Sequence, residues 1–175
     1  MTAGASAGSP AVTGRVKTSM GSGMTKTLRE QLIGAWTLVS YVEEPTDGSA
    51  PSYPMGENPQ GLILYTPDGY MSAQLMRPDR PDFASGDWFV GTPEEFAAEA
   101  TGYIAYSGPF GTEADTGQLT HTMTVSLFPK WLGQTQPRLV SIEGDVLRLS
   151  TAAPIRSGGR EVTYHLIWRR AAANS

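Results

Sequence analysis

The chain contains no cysteine in 175 residues. That single absence excludes a disulfide scaffold, a thiolate metal site and a cysteine nucleophile. Histidine is nearly as scarce: only His121 and His165 occur, too few for a multi-histidine metal centre. No segment has the carboxylate spacing of a Ca²⁺ loop, so no metal site is expected. Positive charge is in deficit, with 13 Lys and Arg against 17 Asp and Glu and a net charge of −4. A nucleic-acid partner, which needs a basic footprint, is therefore not expected. No run of about 18 apolar residues exists, so no membrane-spanning helix is predicted. A Gly-rich phosphate loop, H-E-x-x-H and G-x-S-x-G are all missing, and no cofactor is predicted. No apolar core follows Arg15 and Lys17, so a signal peptide is not expected. With cysteine absent as well, the expected location is cytoplasmic.

Glycine (20) and proline (13), by contrast, are plentiful. They punctuate a series of short alternating segments, which fits frequent turns between strands. Residues 1–26 are mostly Gly, Ala, Ser and Thr and bury too little to offset ordering entropy, so a disordered tail is expected there. Met20 and Met24 lie within it as alternative starts. Residues 27–171 read as one domain, large enough to fold without cross-links.

The domain begins with a predicted helical turn, Thr27 to Leu32, in which Thr27 and Glu30 have the spacing of a capping box. Gly34 then leads into a first strand, Ala35 to Glu43. Strict alternation places Trp36, Leu38, Ser40 and Val42 on one face and Thr37, Val39 and Tyr41 on the other. A long loop, Glu44 to Pro59, precedes the clearest hairpin: Gly61–Tyr65, the turn Thr66-Pro67-Asp68-Gly69, and Tyr70–Met76. The Arg77–Gly91 segment is polar and Pro-rich but carries Phe83, Trp88 and Phe89. It reads either as a lid on the barrel mouth or as a flap on the outer wall. Thr92, Pro93 and Glu95 give a helix start with three agreeing signals, and Gly102 a stop. Further strands follow at Tyr103–Phe110, Leu119–Phe128, Arg138–Glu143, Val146–Thr151 and Val162–Arg170. The count is eight, at which a barrel interior is packed or holds one small ligand. The alternation argues against an all-parallel sheet. The expected fold is thus all-β: an antiparallel eight-stranded barrel, with a short N-terminal helical turn and one short helix inserted after the third strand.

Gly34-Ala35-Trp36 at the start of the first strand resembles the G-x-W signature of lipocalins. Arg169 or Arg170 on the last strand resembles the arginine that packs on that tryptophan. The run Gly61-Leu62-Ile63-Leu64-Tyr65-Thr66-Pro67-Asp68-Gly69-Tyr70-Met71-Ser72 is similar to the microbial lipocalin-like domain family. So are Tyr53-Pro54-Met55-Gly56, Tyr106-Ser107-Gly108, His121, Pro137-Arg138 and Leu166-Ile167-Trp168-Arg169. The resemblance spans about Leu28 to Arg170 and implies a calycin-like barrel. It does not imply a reaction, although some members sit beside natural-product pathways.

His121 is the leading candidate for chemistry. It alternates in phase with Met123, Val125 and Leu127, which are expected to face inward. There it acts as an acid or base, as a donor to a ligand carbonyl, or simply as a core histidine bonded to a neighbouring strand. Arg138 pairs either with a ligand carboxylate or enolate, or with Glu113 or Asp115. Tyr103 and Tyr106 have odd spacing, so only one of them faces inward. Met71 and Met123 suit an adaptable apolar wall. Trp88 is the aromatic of the lid reading. Together, His121, Arg138, Tyr103, Tyr106, Met123, Met71 and Trp88 form the candidate ligand set. His165 is expected to be exposed or simply packed. The leading function is binding of a small hydrophobic molecule in the barrel. The alternative is a cofactor-independent cyclase or isomerase of a polyketide- or terpenoid-like intermediate, with His121 and Arg138 catalytic. A filled barrel acting as an interaction module is a third reading. The oligomeric state is open, a homodimer among the options.

Overall fold

The computed structural model describes residues 26–113 and 117–174. The tail expected over residues 1–26, with Met20 and Met24, falls outside that range except for Lys26. So does Asp115.

The chain opens with α1 (Leu28–Leu32), capped as the sequence predicts. Thr27 N donates to Glu30 Oε2 at 2.8 Å, and Glu30 N donates to Thr27 Oγ1 at 3.2 Å. The strands are β1 (Gly34–Pro45), β2 (Gln60–Tyr65), β3 (Tyr70–Met76), β4 (Tyr103–Thr112), β5 (Leu119–Thr122), β6 (Val125–Ser126), β7 (Thr135–Glu143), β8 (Val146–Thr151), β9 (Ile155–Ser157) and β10 (Arg160–Arg170). The second helix, α2 (Pro93–Thr101), lies between β3 and β4, with its capping box on Thr92 and Glu95. All pairings are antiparallel, in the order β1-β2-β3-β4-β5-β7-β8-β10, and β1 also pairs with β10. Eight principal strands therefore close into a barrel. Two short strands are appended, β6 on β4 and β9 on β10.

The seam is where the sequence motif lies. Trp36 is opposite Arg170 in the β1–β10 ladder. The Arg170 guanidinium carbon sits 4.0 Å from the centroid of the Trp36 ring. Arg170 also donates to Ile33 O at 3.1 Å and Gln31 O at 2.8 Å, and Trp36 Nε1 donates to Leu32 O at 2.8 Å. One cation thus caps the last turn of α1 and covers the indole, closing the barrel floor. Of the two arginines considered from the sequence, Arg170 takes this role.

Three local expectations are corrected. A β-bulge between Leu38 and Ser40 flips the pleat of β1. Beyond it Tyr41 and Glu43 are buried, where simple alternation put Ser40 and Val42. A bulge adds one residue to one strand, so inward and outward positions exchange. The fifth strand stops at Thr122 instead of running to Phe128. Val125 is 65% exposed and Leu127 is also exposed, so neither lines the interior with His121. The chain leaves the ladder because it is drawn onto β4. Thr124 N donates to Ser107 O at 2.9 Å. Gly108 leaves room for the Thr122 carbonyl, which a Cβ there would strike. Finally, β7 begins at Thr135, so Pro137 lies inside a strand rather than before it.

The Arg77–Gly91 segment is a flap, not a lid. Phe83 packs edge-on against Phe96 of α2, with ring centroids 5.1 Å apart. Arg80 lies over the outward ring of Tyr103 at 5.1 Å. Trp88 and Phe89 at its tip are 85% and 86% exposed. No helix among the described residues is long and apolar enough to cross a membrane.

Candidate functional site

The inner wall is apolar around its floor, where Ile63, Leu119 and Leu147 are fully buried with Trp36. Polar side chains enter it from five strands. β5 supplies His121, which is 0% exposed. β2 supplies Tyr65, whose hydroxyl shares a 2.9 Å hydrogen bond with His121 Nε2. β4 supplies Tyr106, its ring centroid 6.0 Å from the imidazole. β7 supplies Arg138, 5% exposed, with its guanidinium carbon 5.5 Å from the ring centroid of Tyr164 on β10. Tyr106 and Tyr164 are only half-buried, as are Ile104, Val140 and Ile142. These five side chains of β4, β7 and β10 are therefore incompletely covered.

Electrostatics in this cluster follow from burial. His121 is pushed down from 6.5 to about 3, first by loss of water and then by the nearby Arg138 charge. Tyr65, Tyr106 and Tyr164 are pushed up by burial, and Arg138 offsets part of the rise in each. Near neutral pH the cluster is one cation, one neutral imidazole and three neutral phenols. The imidazole Nδ1 is buried and has no partner, and neither has Thr151 Oγ1. If Tyr65 donates to Nε2, Nδ1 carries a free N–H; in the other tautomer Nδ1 is a bare acceptor. Either way, a buried polar atom waits for a partner, an uncommon state in a folded interior.

A second polar group adjoins the cluster through Tyr41, whose ring packs edge-on against Tyr164 with centroids 6.0 Å apart. Buried Glu43 accepts hydrogen bonds from Tyr41 and Ser157, both at 2.8 Å on Oε1. Burial, and then the neighbouring Glu43 charge, push the Tyr41 hydroxyl up. Trp131, in the turn after β6, sets its edge against the Tyr106 ring at 5.6 Å. It is thus this loop, not the Trp88 segment, that touches the inner cluster.

The candidate ligand set divides accordingly. His121, Arg138 and Tyr106 come together inside the barrel, and Met71 and Met123 are buried in its wall. Tyr103 faces outward, donating to Gln74 Oε1 at 2.7 Å. Trp88 lies on the rim of an external cleft of about 690 Å³, with Met76, Arg77, Arg80 and Phe83. A smaller groove of about 300 Å³ is lined by residues of β7, β8 and β10. His165 is exposed, its Nε2 3.5 Å from Glu44. Tyr41, Glu43, Tyr164 and Trp131 escaped sequence reasoning, which favours core over pocket for Tyr65. Only Tyr65 gave a signal: a hydroxyl at the end of an apolar strand has to find a partner if its ring is buried. Among the described residues, no three His, Asp or Glu side chains converge as a metal would require.

A family model described as a lipocalin-like domain matches residues 33–171, the whole of this barrel. The chain belongs to the lipocalin-like domain family. A curated relative from Aspergillus oryzae (strain ATCC 42149 / RIB 40) is 42% identical over 106 residues, covering 57% of this chain and 96% of the relative. It is named 4'-hydroxy-3'-methoxypropiophenone carrier protein ppsC. The lipocalin-like barrel of the present chain thus shares substantial sequence with a protein named for carrying an aryl ketone.

Proposed function

We propose that this lipocalin-like barrel binds a small, largely apolar aromatic molecule in its interior and carries it. One observation carries the reading: a buried imidazole, held by Tyr65, keeps a second ring nitrogen unpartnered inside the barrel. Such a site gives a ligand apolar contact for affinity and a few polar atoms for orientation. The rings of Tyr65, Tyr106 and Tyr164 supply aromatic surface, and Nδ1 supplies a hydrogen-bonding point for a ligand oxygen. The relative's name supports an aryl ketone or a similar natural-product intermediate as the ligand class. We place this activity in the cytoplasm, in keeping with a cysteine-free chain.

The cyclase or isomerase reading has less support. It needs His121 to accept a proton near neutral pH, and an imidazole held down at about 3 is a weak base. Native mass spectrometry of the purified protein, with and without added 4'-hydroxy-3'-methoxypropiophenone, tests both. The expected result is a one-to-one complex whose ligand mass and retention time are unchanged on release. A protein that takes up neither this ketone nor any co-purifying molecule would overturn the binding reading. A released product that differs from the added ketone would favour catalysis.

A further inference from the structure

Among the described residues, the interior holds a buried cation in no ion pair. Arg138 is 5% exposed, and its hydrogen bonds run to Pro137 O at 3.0 Å and Gln136 Oε1 at 2.6 Å. These use two of the five N–H donors of a guanidinium, and the group also hydrogen-bonds toward the Tyr106 hydroxyl. The described ion pairs join other residues, and none includes Arg138. The side chains facing it are Tyr65 from β2, Tyr106 from β4, His121 from β5 and Tyr164 from β10. All four are neutral near pH 7. Glu43, the only buried carboxylate among the described residues, is held instead by Tyr41 and Ser157. Thr151, directly opposite Arg138 in the β7–β8 ladder, has a buried hydroxyl with no partner. A buried charge is costly unless it is paired, and Arg138, His121 and Thr151 are all buried on neighbouring strands β7, β5 and β8.

We propose that the ligand is bound as an oxyanion, an acidic phenol or enol that has given up its proton, paired with Arg138 beside Tyr106 and His121. This deepens and rests on the carrier reading, to which it adds the charge state of the cargo. A phenol para to an acyl group fits, because resonance into the ketone makes it more acidic than an ordinary phenol. The barrel selects the anion by supplying Arg138, the one buried cation among the described residues, where low dielectric strengthens the pairing.

The test uses the full chain and two probes, 4'-hydroxypropiophenone and its 4'-methyl ether, which cannot ionise. The phenol absorbs at longer wavelength once deprotonated, so its charge state is read directly while bound. The phenol is expected to bind at least about tenfold tighter than the ether. Bound phenol should show phenolate absorption at a pH where free phenol is still protonated. In Arg138→Met the preference and the spectral shift disappear, while the ether still binds and shows that the barrel is intact. Arg138→Lys, which keeps a charge, should retain part of the shift. Equal binding of phenol and ether, or a bound phenol that stays protonated, overturns the oxyanion inference alone. If neither probe binds the wild-type chain, the carrier reading falls and takes the inference with it.

Discussion

Tyr65 and His121 meet at 2.9 Å across the barrel, although β3 and β4 separate their strands in the sheet. The pair is a polar strut between walls that share no ladder, and each partner satisfies the other where water is absent. Tyr65→Phe removes one end and leaves both imidazole nitrogens bare. The expected loss is about 1–3 kcal/mol in chemical denaturation. The double variant Tyr65→Phe, His121→Leu should recover part of that loss, because no orphaned polar atom remains. A single variant as stable as wild type would show that the strut contributes nothing.

Acid should weaken the protein well above the range where carboxylates titrate. The folded-state value of His121 is about 3, below its ordinary 6.5. The unfolded chain therefore takes up a proton that the barrel refuses. This contribution is fully present above about pH 6.5 and declines as pH falls toward about 3, with a slope of at most about 1.4 kcal/mol per pH unit. Lowered carboxylates such as Glu30, Asp47 and Glu95 start from 3.8–4.5 and act mainly below that window. Urea titrations between pH 4.5 and 6.5 should show the slope in wild type and a much flatter line in His121→Gln. Parallel lines would refute the assignment.

Arg170→Ala removes two hydrogen bonds to carbonyls and the cover over Trp36 together. Because the side chain is about one-third exposed, a cost near 2 kcal/mol is expected. Arg170→Lys should fall between, since an ammonium cannot stack flat on the indole while reaching both Gln31 and Ile33. Thermal melts of the three proteins give the order.

Gly108→Ala should be far worse than Gly48→Ala. At Gly48 the φ of 78° is unfavourable for alanine but nothing lies within 4 Å of an added Cβ, so roughly 1 kcal/mol is expected. At Gly108 the methyl group meets the Thr122 carbonyl and the Thr124 amide. Overpacking against backbone is expected to cost on the order of 3 kcal/mol. Comparable melting temperatures for the two variants would contradict this view of the β4–β5 crossing.

Trp88→Ala should change little. An 85% exposed side chain has a stability effect within about 0.5 kcal/mol. Ligand affinity should also hold, because Trp131, not Trp88, contacts the inner cluster. An affinity drop of about tenfold in Trp88→Ala would move the binding site to the external cleft.

The sequence showed those features that are carried by local patterns. The capping boxes at Thr27 and Thr92, the hairpin through Asp68-Gly69 and the Trp–Arg seam all rest on spacing within a few residues or on a recurring pair. The inward direction of His121 and Met123 was legible from alternation. The bulge after Leu38 was not, because nothing in Leu38-Val39-Ser40 marks an extra residue, and it decides that Tyr41 and Glu43 point inward. The break after Thr122 was hidden for a different reason: the pattern of alternation continues while the backbone does not. Its cause, the bare Cα of Gly108, is in another strand. The Tyr65–His121 bond and the isolation of Arg138 join residues far apart in the chain, and no pattern within one segment records them.

The β1–β10 seam also has a meaning in time. Thr37 Oγ1 donates to Arg169 O across 132 residues of chain. The hairpins β2–β3 and β7–β8 can form as soon as their own residues exist, whereas the seam joins the first strand to the last. Until β10 arrives the molecule is a curved sheet with two bare edges, open to pairing with a neighbour. Closure thus joins the most distant parts of the chain at the greatest loop-entropy cost, and it is also what creates an inside for a ligand to occupy.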